Sequence, residues 1–307
     1  MIVCASRRTD IPAFHSEWLM NRIREGYALV RNPVAKNVVH RVDLSPGNID
    51  LLLLMTKDPR PMIPFIDELK ERKINFGFQV TITPYGHDIE PGVPNKADIA
   101  EGFRDISETI GKNRIVWRYD PVILNDKIDI KFHRRKFGTL CAELAGYTER
   151  CIFSFVEIHG KLKGLADEGV IRKISEEEAA EIGRSFSETA KDSGIELTLC
   201  CSEYDLSRYG IAAKGCIDKE QMRAMGVPSE EAQTPIRAMC QCVKNVDIGD
   251  YDTCDHDCIY CYANRNTGKA RKGKHYDPKG EMLFGMLRGS DTIVEMISRK
   301  NSRITDF

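Results

Sequence analysis

The segment Leu51-Leu-Leu-Leu-Met-Thr-Lys-Asp58 combines a continuous apolar run with an abrupt polar end. Apolar side chains at every position from Leu51 to Met55 leave neither face of a strand polar, which is typical of strands covered on both faces. Such a strand belongs in a parallel sheet between layers of helices. Lys57 and Asp58 mark the point where this strand ends.

Six further segments are strand-like, and amphipathic stretches with helix signals lie between them. Ser175 and Glu178, for example, form a capping box ahead of apolar residues at helical spacing. Repeated strand–helix alternation implies right-handed crossovers, so the sequence predicts an α/β fold, a distorted or partial (β/α) TIM-like barrel. The link from residue 44 to 50 is too short for a crossover helix, and its flanking strands could instead pair antiparallel. The predicted strands cover residues 2–5, 37–43, 51–56, 76–82, 114–119, 151–157 and 195–200.

Polar side chains follow most of the predicted strands. Taken singly, each polar cluster could simply mark where a strand meets a loop. Because the carboxyl ends of barrel strands meet at one mouth, where barrel enzymes place their sites, we expect them to line one cavity. Arg118 gives the strongest case, because an arginine directly after Trp117 would otherwise be buried at a real cost. The residues expected at the mouth are Arg7, Asp10, Lys57, Thr83, Arg118, Asp120 and Glu203.

The composition describes a globular chain without an electrostatic preference for polyanions. Lys and Arg number 45 against 46 Asp and Glu, so net charge gives no case for nucleic acid or an anionic membrane. Arg7, Arg8 and Asp10 interrupt the first apolar residues, so no signal peptide is predicted. We therefore expect a cytoplasmic protein with no membrane partner. Eleven cysteines in a reducing compartment indicate metal or redox chemistry rather than disulfides.

The pattern changes at about residue 236, where the strand–helix alternation stops and cysteines become dense. We therefore predict a (β/α) barrel over residues 1–235 and a cysteine-rich iron–sulfur segment over residues 236–307, packed on the barrel mouth. A short helix is predicted over residues 291–300. The basic stretch 265–275 has no interleaved aromatic residues, which favours a solvated loop over a nucleic-acid site.

The segment Cys254-Asp-His-Asp-Cys258-Ile-Tyr-Cys261 has the spacing C-x3-C-x2-C. Three thiolates this close in sequence can bind one face of a cubane cluster and leave the fourth iron free. Zinc sites usually combine C-x2-C with a second, distant pair. A cluster with four cysteine ligands can only pass electrons or hold structure, whereas a vacant iron can bind a cosubstrate. The spacing thus predicts a [4Fe–4S] cluster. His256, inside this loop, is interpreted as a hydrogen-bonding residue.

With Tyr260 immediately before the last cysteine, the motif resembles the C-x3-C-x-aromatic-C signature of radical S-adenosylmethionine enzymes. The whole chain resembles a prokaryotic family that has no assigned reaction. The shared features are Ser-Arg-Arg-Thr-Asp-Ile-Pro-Ala at residues 6–13, Thr-Pro-Tyr-Gly at 83–86, Trp-Arg-Tyr-Asp-Pro at 117–121, and the cysteine motif. The order is permuted relative to ordinary radical enzymes, because the cysteines follow the last predicted strand rather than the first.

The resemblance implies that S-adenosylmethionine binds the vacant iron and is cleaved reductively to a 5′-deoxyadenosyl radical. It also implies a small or anionic substrate and an electron donor such as a ferredoxin or flavodoxin. Tyr260 is expected beside the cluster and the adenine. The candidates for binding a carboxylate or phosphate are Arg7, Arg8, Lys57 and Arg118. The candidates for orienting these basic side chains are Asp10, Asp120, Glu157 and Glu203. The catalytic candidates are Arg118, Asp120, Asp10 and Glu203.

The other eight cysteines fall into two groups. Three of them, Cys4, Cys141 and Cys151, lie where a small apolar residue belongs and are interpreted as core residues. The remaining five could hold a second cluster or a zinc ion, and they are Cys200, Cys201, Cys216, Cys240 and Cys242.

Two other functions stay open. If Cys240 or Cys242 supplied a fourth ligand, the chain would be a redox or binding protein with a closed cluster. Alternatively, the cysteines could form a structural zinc site on a barrel. The short Cys-x-Cys tether favours use of Cys240 and Cys242 together at a separate site, so we expect the fourth iron to be open.

Overall fold

The computed structural model describes residues 1–227, 234, 239–265 and 275–296. These residues contain the following strands and α-helices. The strands are β1 (Ile2–Ala5), β2 (Tyr27–Arg31), β3 (Val38–Asp43), β4 (Leu51–Thr56), β5 (Phe76–Thr81), β6 (Ile115–Val122), β7 (Arg150–Phe155), β8 (Glu196–Leu199), β9 (Ala212–Ala213), β10 (Val246–Asp247) and β11 (Thr292–Met296). The helices are α1 (Ile11–Phe14), α2 (Ser16–Glu25), α3 (Ile66–Glu71), α4 (Lys96–Ile110), α5 (Ile130–Leu144), α6 (Leu162–Asp167), α7 (Glu176–Asp192) and α8 (Lys219–Ala224).

The main sheet has eight strands in the order β10-β1-β4-β5-β6-β7-β8-β9. Every pairing described in detail within it is parallel. All residues of β1, β4 and β7 are buried, as the continuous apolar runs of β1 and β4 predict for strands covered on both faces. The predicted α/β class, with a large parallel sheet alternating with helices, is therefore confirmed.

A second, three-stranded sheet has the order β11-β3-β2. In it, β3 pairs antiparallel with β2 and parallel with β11. The prediction that residues 37–43 form a strand of the main sheet is therefore wrong, although the strand itself exists. The suggested antiparallel pairing of this strand with residues 51–56 is also wrong, because β4 pairs parallel with β1. Only two of the six β3 residues are buried, as expected for a strand that is not covered on both of its faces.

The C-terminal helix predicted over residues 291–300 is wrong for residues 292–296, which form β11. Each of these five residues has a partner in β3, and the β-branched pair Ile293 and Val294 favours a strand. Residues 297–300 lie outside the described residues. Residues 266–274 of the basic stretch 265–275 also lie outside the described residues.

The chain forms two compact units. The first comprises Met1–Phe78, Glu90–Val93 and the described residues from Asn245 onward. The second comprises Gln79–Ile89 and the described residues from Pro94 to Lys244. The cysteine motif therefore shares a unit with β1 and β4. The division into residues 1–235 and 236–307, which rests on composition, stays a prediction.

The helices of the second unit begin at clear capping signals. The predicted capping box of α7 is confirmed, because the Glu178 backbone N–H donates to Ser175 Oγ and the Ser175 N–H donates to the Glu178 carboxylate. Helix α4 begins after Asn95, whose side chain accepts from the Ala97 N–H at 3.0 Å. No described helix is both long enough and apolar enough to cross a membrane.

Candidate functional site

Strand β10 brings the start of the cysteine segment to the carboxyl end of β1. The Asp247 carboxylate is buried and accepts from Ser6 Oγ at 2.7 Å and from the Arg7 backbone N–H at 2.8 Å. A Cβ on Gly249 would lie 2.0 Å from Ser6 Oγ, so the close approach requires glycine. Main-chain pairing and one buried carboxylate therefore fix this part of the segment.

The cysteine segment closes on itself and on the residues that follow β1. The Thr9 hydroxyl donates to the Asp250 carbonyl at 2.8 Å and also contacts the Thr253 hydroxyl. At the other end, the Asp252 backbone N–H donates to the Ala263 carbonyl at 2.9 Å. The three cysteines of the motif thus lie on one closed loop, which we call the cysteine loop (residues 250–263).

Asp10 and His256 hold the cysteine loop against the ends of β1 and β4. One Asp10 oxygen lies 2.7 Å from His256 Nε2 and accepts from the Lys57 backbone N–H at 2.6 Å. The other oxygen accepts from the Ala13 N–H and caps α1. The Gly92 N–H donates to the His256 carbonyl at 2.9 Å. The prediction that His256 is a hydrogen-bonding loop residue is confirmed, and Asp10 is a positioning residue here.

Lys57, Glu90 and Tyr260 form a polar group beside Cys258. Lys57 Nζ lies 2.7 Å from Glu90 Oε1, and the Tyr260 hydroxyl donates to the same oxygen. The ammonium group also lies 5.6 Å from the centre of the Tyr260 ring, within cation–π range. This side of the loop therefore carries a cation whose charge Glu90 offsets.

Burial raises the pKa of the Cys254 thiol well above its usual value, and Asp10, Cys261 and Cys258 raise it further. Burial also raises the pKa of Cys258 to about 12, although the positive charge of Lys57 opposes the rise. Because the other two sulfurs influence the pKa of Cys254, the three thiols lie within electrostatic range of one another. A metal bound here would have to displace their protons.

Within the ranges that the structure describes, no three His, Cys, Asp or Glu side chains are arranged so that they could hold a metal ion as they stand. The donor chemistry of the cysteine loop nevertheless suits a cluster. Each ligand of a cubane binds a different iron, so its thiolates lie farther apart than thiolates sharing one ion. The His256 backbone N–H also donates to the Cys254 sulfur, a contact that favours the thiolate. In residue type and connectivity the loop fits an iron–sulfur cluster.

Replacing Gly92 by alanine should destabilise the first unit by about 1–3 kcal/mol, as overpacking usually does. The new Cβ would lie 2.1 Å from the Asp255 carbonyl oxygen, a backbone atom that cannot rotate away. Urea unfolding measures the effect. Gly47→Ala is the matched control, because nothing lies within 4 Å of its Cβ. Equal unfolding midpoints for the two variants would contradict the tight contact between Gly92 and the cysteine loop.

In the second unit, Arg118 and Asp120 form an ion pair within β6. The Arg118 guanidinium also donates to Gln79 Oε1 at 3.0 Å, and the Ser154 hydroxyl donates to Asp120. Burial alone would raise the pKa of the Asp120 carboxyl, but Arg118 and Ser154 hold it below its usual value. The pair is therefore charged and internally satisfied.

A group of thiols lies beside this ion pair. The sulfur atoms of Cys216 and Cys242 are 3.4 Å apart, and the Cys200 thiol is hydrogen-bonded to Cys216. The Arg118 charge lowers the pKa of Cys200, although burial and Cys216 together raise it well above its usual value. The structure thus brings together three of the cysteines predicted for a second metal site. We call Cys200, Cys216 and Cys242 the second thiol group. Cys4, Cys141 and Cys151 are buried, as predicted for core residues.

The two arginines after β1 bind their own unit. Arg7 donates to Asn245 Oδ1 at 2.6 Å and lies 3.4 Å from Asp247. Arg8 donates weakly to a backbone carbonyl at 3.4 Å and stacks over the Tyr251 ring at 5.2 Å. Both guanidiniums therefore help to hold the segment that leads into the cysteine loop.

Glu203 lines a cavity of about 420 Å³ together with Lys173, Ser175 and Tyr204. Glu157 is exposed. The structure thus groups Asp10 and Lys57 with the cysteine loop, and Arg118 and Asp120 with the second thiol group. The convergence of all the strand-end residues on one cavity stays a prediction.

Three buried polar residues at these two sites are not predicted from the sequence. They are Gln79, Glu90 and Ser154, which are 0%, 1% and 7% exposed. For Gln79 a signal existed, because an amide inside an apolar strand needs a buried partner. Glu90 lies in an irregular segment between β5 and α4, where no periodicity shows which residues are buried.

The model of one protein family, described as a domain of unknown function (DUF1848), matches residues 2–263. A search of curated proteins gave no match. Among solved structures, two of the pneumococcal exo-β-D-N-acetylglucosaminidase StrH are similar, each at 11% identity. One concerns inhibition of its tandem GH20 catalytic modules, and the other its inhibition and N-glycan recognition and hydrolysis.

The similarity to these two structures is weak. Their TM-scores are 0.26 and 0.28, with 74% and 73% of this chain covered. The chain spans 63% and 62% of the two proteins, which is less than two thirds of each. Similarity at this level establishes neither fold nor function.

Proposed function

The chain belongs to the DUF1848 family, and we propose that it is an iron–sulfur enzyme of the radical S-adenosylmethionine type. Its [4Fe–4S] cluster would be held by Cys254, Cys258 and Cys261. The observation that carries the proposal is the closed cysteine loop, which keeps three thiols in C-x3-C-x2-C spacing within electrostatic range of one another. When bound, the cluster supplies the electron that cleaves the C–S bond of S-adenosylmethionine.

A vacant fourth iron is supported by the position of Cys242. Its sulfur lies 3.4 Å from Cys216, a partner in its own unit, so it has a different use from closing the cluster. Cys240 is two residues away on the same short tether. This observation favours an enzyme over an electron-transfer protein with a closed cluster.

The residues around the cysteine loop would prepare the cluster rather than react themselves. Asp10 and His256 fix the loop, because each of their polar side-chain atoms has a partner. Lys57 lies beside Cys258 and lowers the pKa of its thiol, although Glu90 acts in the opposite direction. Tyr260, held by Glu90, would limit the access of water to this side.

We further propose that the eight-stranded sheet closes into a distorted (β/α) barrel, as in enzymes whose sites lie at the strand ends. The parallel pairings and intervening helices support this closure. Arg118 and Asp120 would then help to bind a small or anionic substrate at the mouth. The electron donor would be a cytoplasmic ferredoxin or flavodoxin, because the cluster needs a low-potential reductant.

Anaerobic reconstitution of the full chain tests this function. We expect about four irons and four sulfides per chain, the composition of one cubane. S-adenosylmethionine should change the EPR spectrum of the reduced cluster, and uncoupled cleavage should yield 5′-deoxyadenosine under strong reductant. Cys141→Ala, a buried thiol outside the loop, is the matched control and should behave as the wild type. A fully loaded cluster that does not respond to S-adenosylmethionine would show that the fourth iron is closed and would end the radical hypothesis.

A further inference from the structure

The second thiol group in the second unit is built by backbone pairing between two distant segments. The Val243 backbone N–H donates to the Ile217 carbonyl at 2.9 Å, which aligns the residues that precede each of them. Those residues are Cys242 and Cys216, whose sulfur atoms are 3.4 Å apart. The thiol contact therefore follows from the way the chain is folded.

A glycine makes the close approach of the two segments possible. A Cβ on Gly215 would lie 2.6 Å from the Gln241 carbonyl oxygen and 2.8 Å from the Cys242 backbone nitrogen. Both are backbone atoms, so a larger residue at position 215 would separate the segments. The local sequence is thus suited to keeping Cys216 against Cys242.

Two more cysteines lie near this pair. Cys200, directly after β8, is hydrogen-bonded to Cys216. Cys240 is two residues before Cys242 and lies close enough to raise the pKa of its thiol, after the larger effects of Cys216 and burial. Cys200 thus contacts Cys216, Cys240 lies within electrostatic range of Cys242, and all four cysteines belong to the second unit.

The sulfur spacing favours one shared metal ion over a cubane. Four thiolates bound to one tetrahedral zinc at about 2.3 Å lie about 3.8 Å apart, close to the spacing of Cys216 and Cys242. Ligands of a cubane bind different irons and lie farther apart. Arg118 lies beside Cys200 and Cys216, where its positive charge would offset part of the charge of a tetrathiolate site.

We propose that Cys200, Cys216, Cys240 and Cys242 bind one zinc ion. Zinc binding replaces four S–H bonds by four zinc–sulfur bonds and releases four protons, with no change in oxidation state. The outer thiols, Cys200 and Cys240, rotate towards the ion, since no three of the four surround a common point as the described residues stand. With four protein ligands and no open position, the site is structural.

The test separates this site from the proposed cluster by removing the cluster ligands. Zinc, iron and sulfide are measured in anaerobically purified wild type and in the Cys254→Ala/Cys258→Ala/Cys261→Ala variant. Both proteins should contain about one zinc per chain, as expected for a single four-ligand site. Cobalt(II) added to the metal-depleted triple variant should give the absorption of a tetrahedral tetrathiolate complex.

Two variants of the second site keep the proposal falsifiable even if one misfolds. Cys216→Ser/Cys242→Ser should lose the zinc while retaining the iron, and its folding is checked by circular dichroism. Cys240→Ser changes a half-exposed thiol and should lower zinc affinity at least about tenfold in a chelator competition. Cys141→Ala/Cys151→Ala, two buried thiols of the same unit, should keep full zinc.

Three results would overturn the zinc site. The triple variant could retain iron and sulfide instead of zinc, which would indicate a second cluster. It could contain no metal and a Cys216–Cys242 disulfide on non-reducing mass spectrometry, which would indicate a redox pair. Finally, zinc could persist in both second-site variants. None of these results depends on whether the cysteine loop of the first unit binds a cluster.

Discussion

The variant Cys254→Ala/Cys258→Ala/Cys261→Ala should bind no iron–sulfur cluster, with iron and acid-labile sulfide falling from about four of each per chain to near zero. Thiolates supply the protein bonds to the cluster, and alanine supplies none. Each single variant should lose the cluster as well, because two remaining thiolates cannot retain a cubane against chelators and oxygen. Metal and sulfide analysis after anaerobic reconstitution measures the loss.

The matched control for this loss is Cys4→Ala. Cys4 is a buried thiol in β1 of the same unit, and it lies outside the cysteine loop. Its replacement should leave iron and sulfide at the wild-type level. If the triple variant kept its full iron and sulfide content, the assignment of the cluster to the cysteine loop would be wrong.

The most deeply buried strands could be predicted closely from the sequence. The predicted ranges 2–5 and 51–56 coincide with β1 and β4, and every residue of both strands is buried. Strands covered on both faces require an apolar residue at each position, so their limits are visible as the limits of the run. The predicted ranges 151–157 and 195–200 also match β7 and β8, with ends that differ by one or two residues.

The three-stranded sheet could not be predicted in this way. Strand β2 was missed because it follows α2 after a single residue, Gly26, and no loop separates the two elements. In β11, Ile293 and Val294 are about half exposed, so neither face gives an apolar pattern. The partner of β11 is β3, some 250 residues earlier, and local sequence carries no information about such a pairing.

The candidate site shows the same division between local and long-range information. The cysteine spacing is a local feature that can be read directly from the sequence. The role of His256 as a hydrogen-bonding residue of the same loop could be predicted from that local context. The Asp10–His256 and Lys57–Glu90 contacts join residues 246 and 33 positions apart, so they depend on the fold. Gly92 belongs with them, because the need for glycine there arises only when the Asp255 carbonyl packs against it.

Replacing Arg118 by methionine should destabilise the second unit by about 3 kcal/mol at neutral pH, at the lower end of the range for breaking a buried ion pair. The Arg118 and Asp120 side chains are 12% and 23% exposed, so Asp120 would be left as a largely buried charge without its cation. Urea unfolding measures the loss. Arg134→Met is the matched control, since the exposed Arg134–Glu181 pair should contribute less than about 1 kcal/mol.

The pH dependence of the stability difference between the wild type and Arg118→Met distinguishes a lost ion pair from lost packing. In the wild type, Arg118 lowers the pKa of Asp120, so the stabilisation is present above the usual aspartate pKa and is lost as the pH falls through the lowered value. In Arg118→Met, burial without the cation raises the pKa of Asp120, and protonation relieves the penalty as the pH falls. The stability gap between the two proteins should therefore narrow on acidification from neutral pH. A gap that stays constant with pH, or a loss no larger than that of Arg134→Met, would contradict a charged, buried Arg118–Asp120 pair.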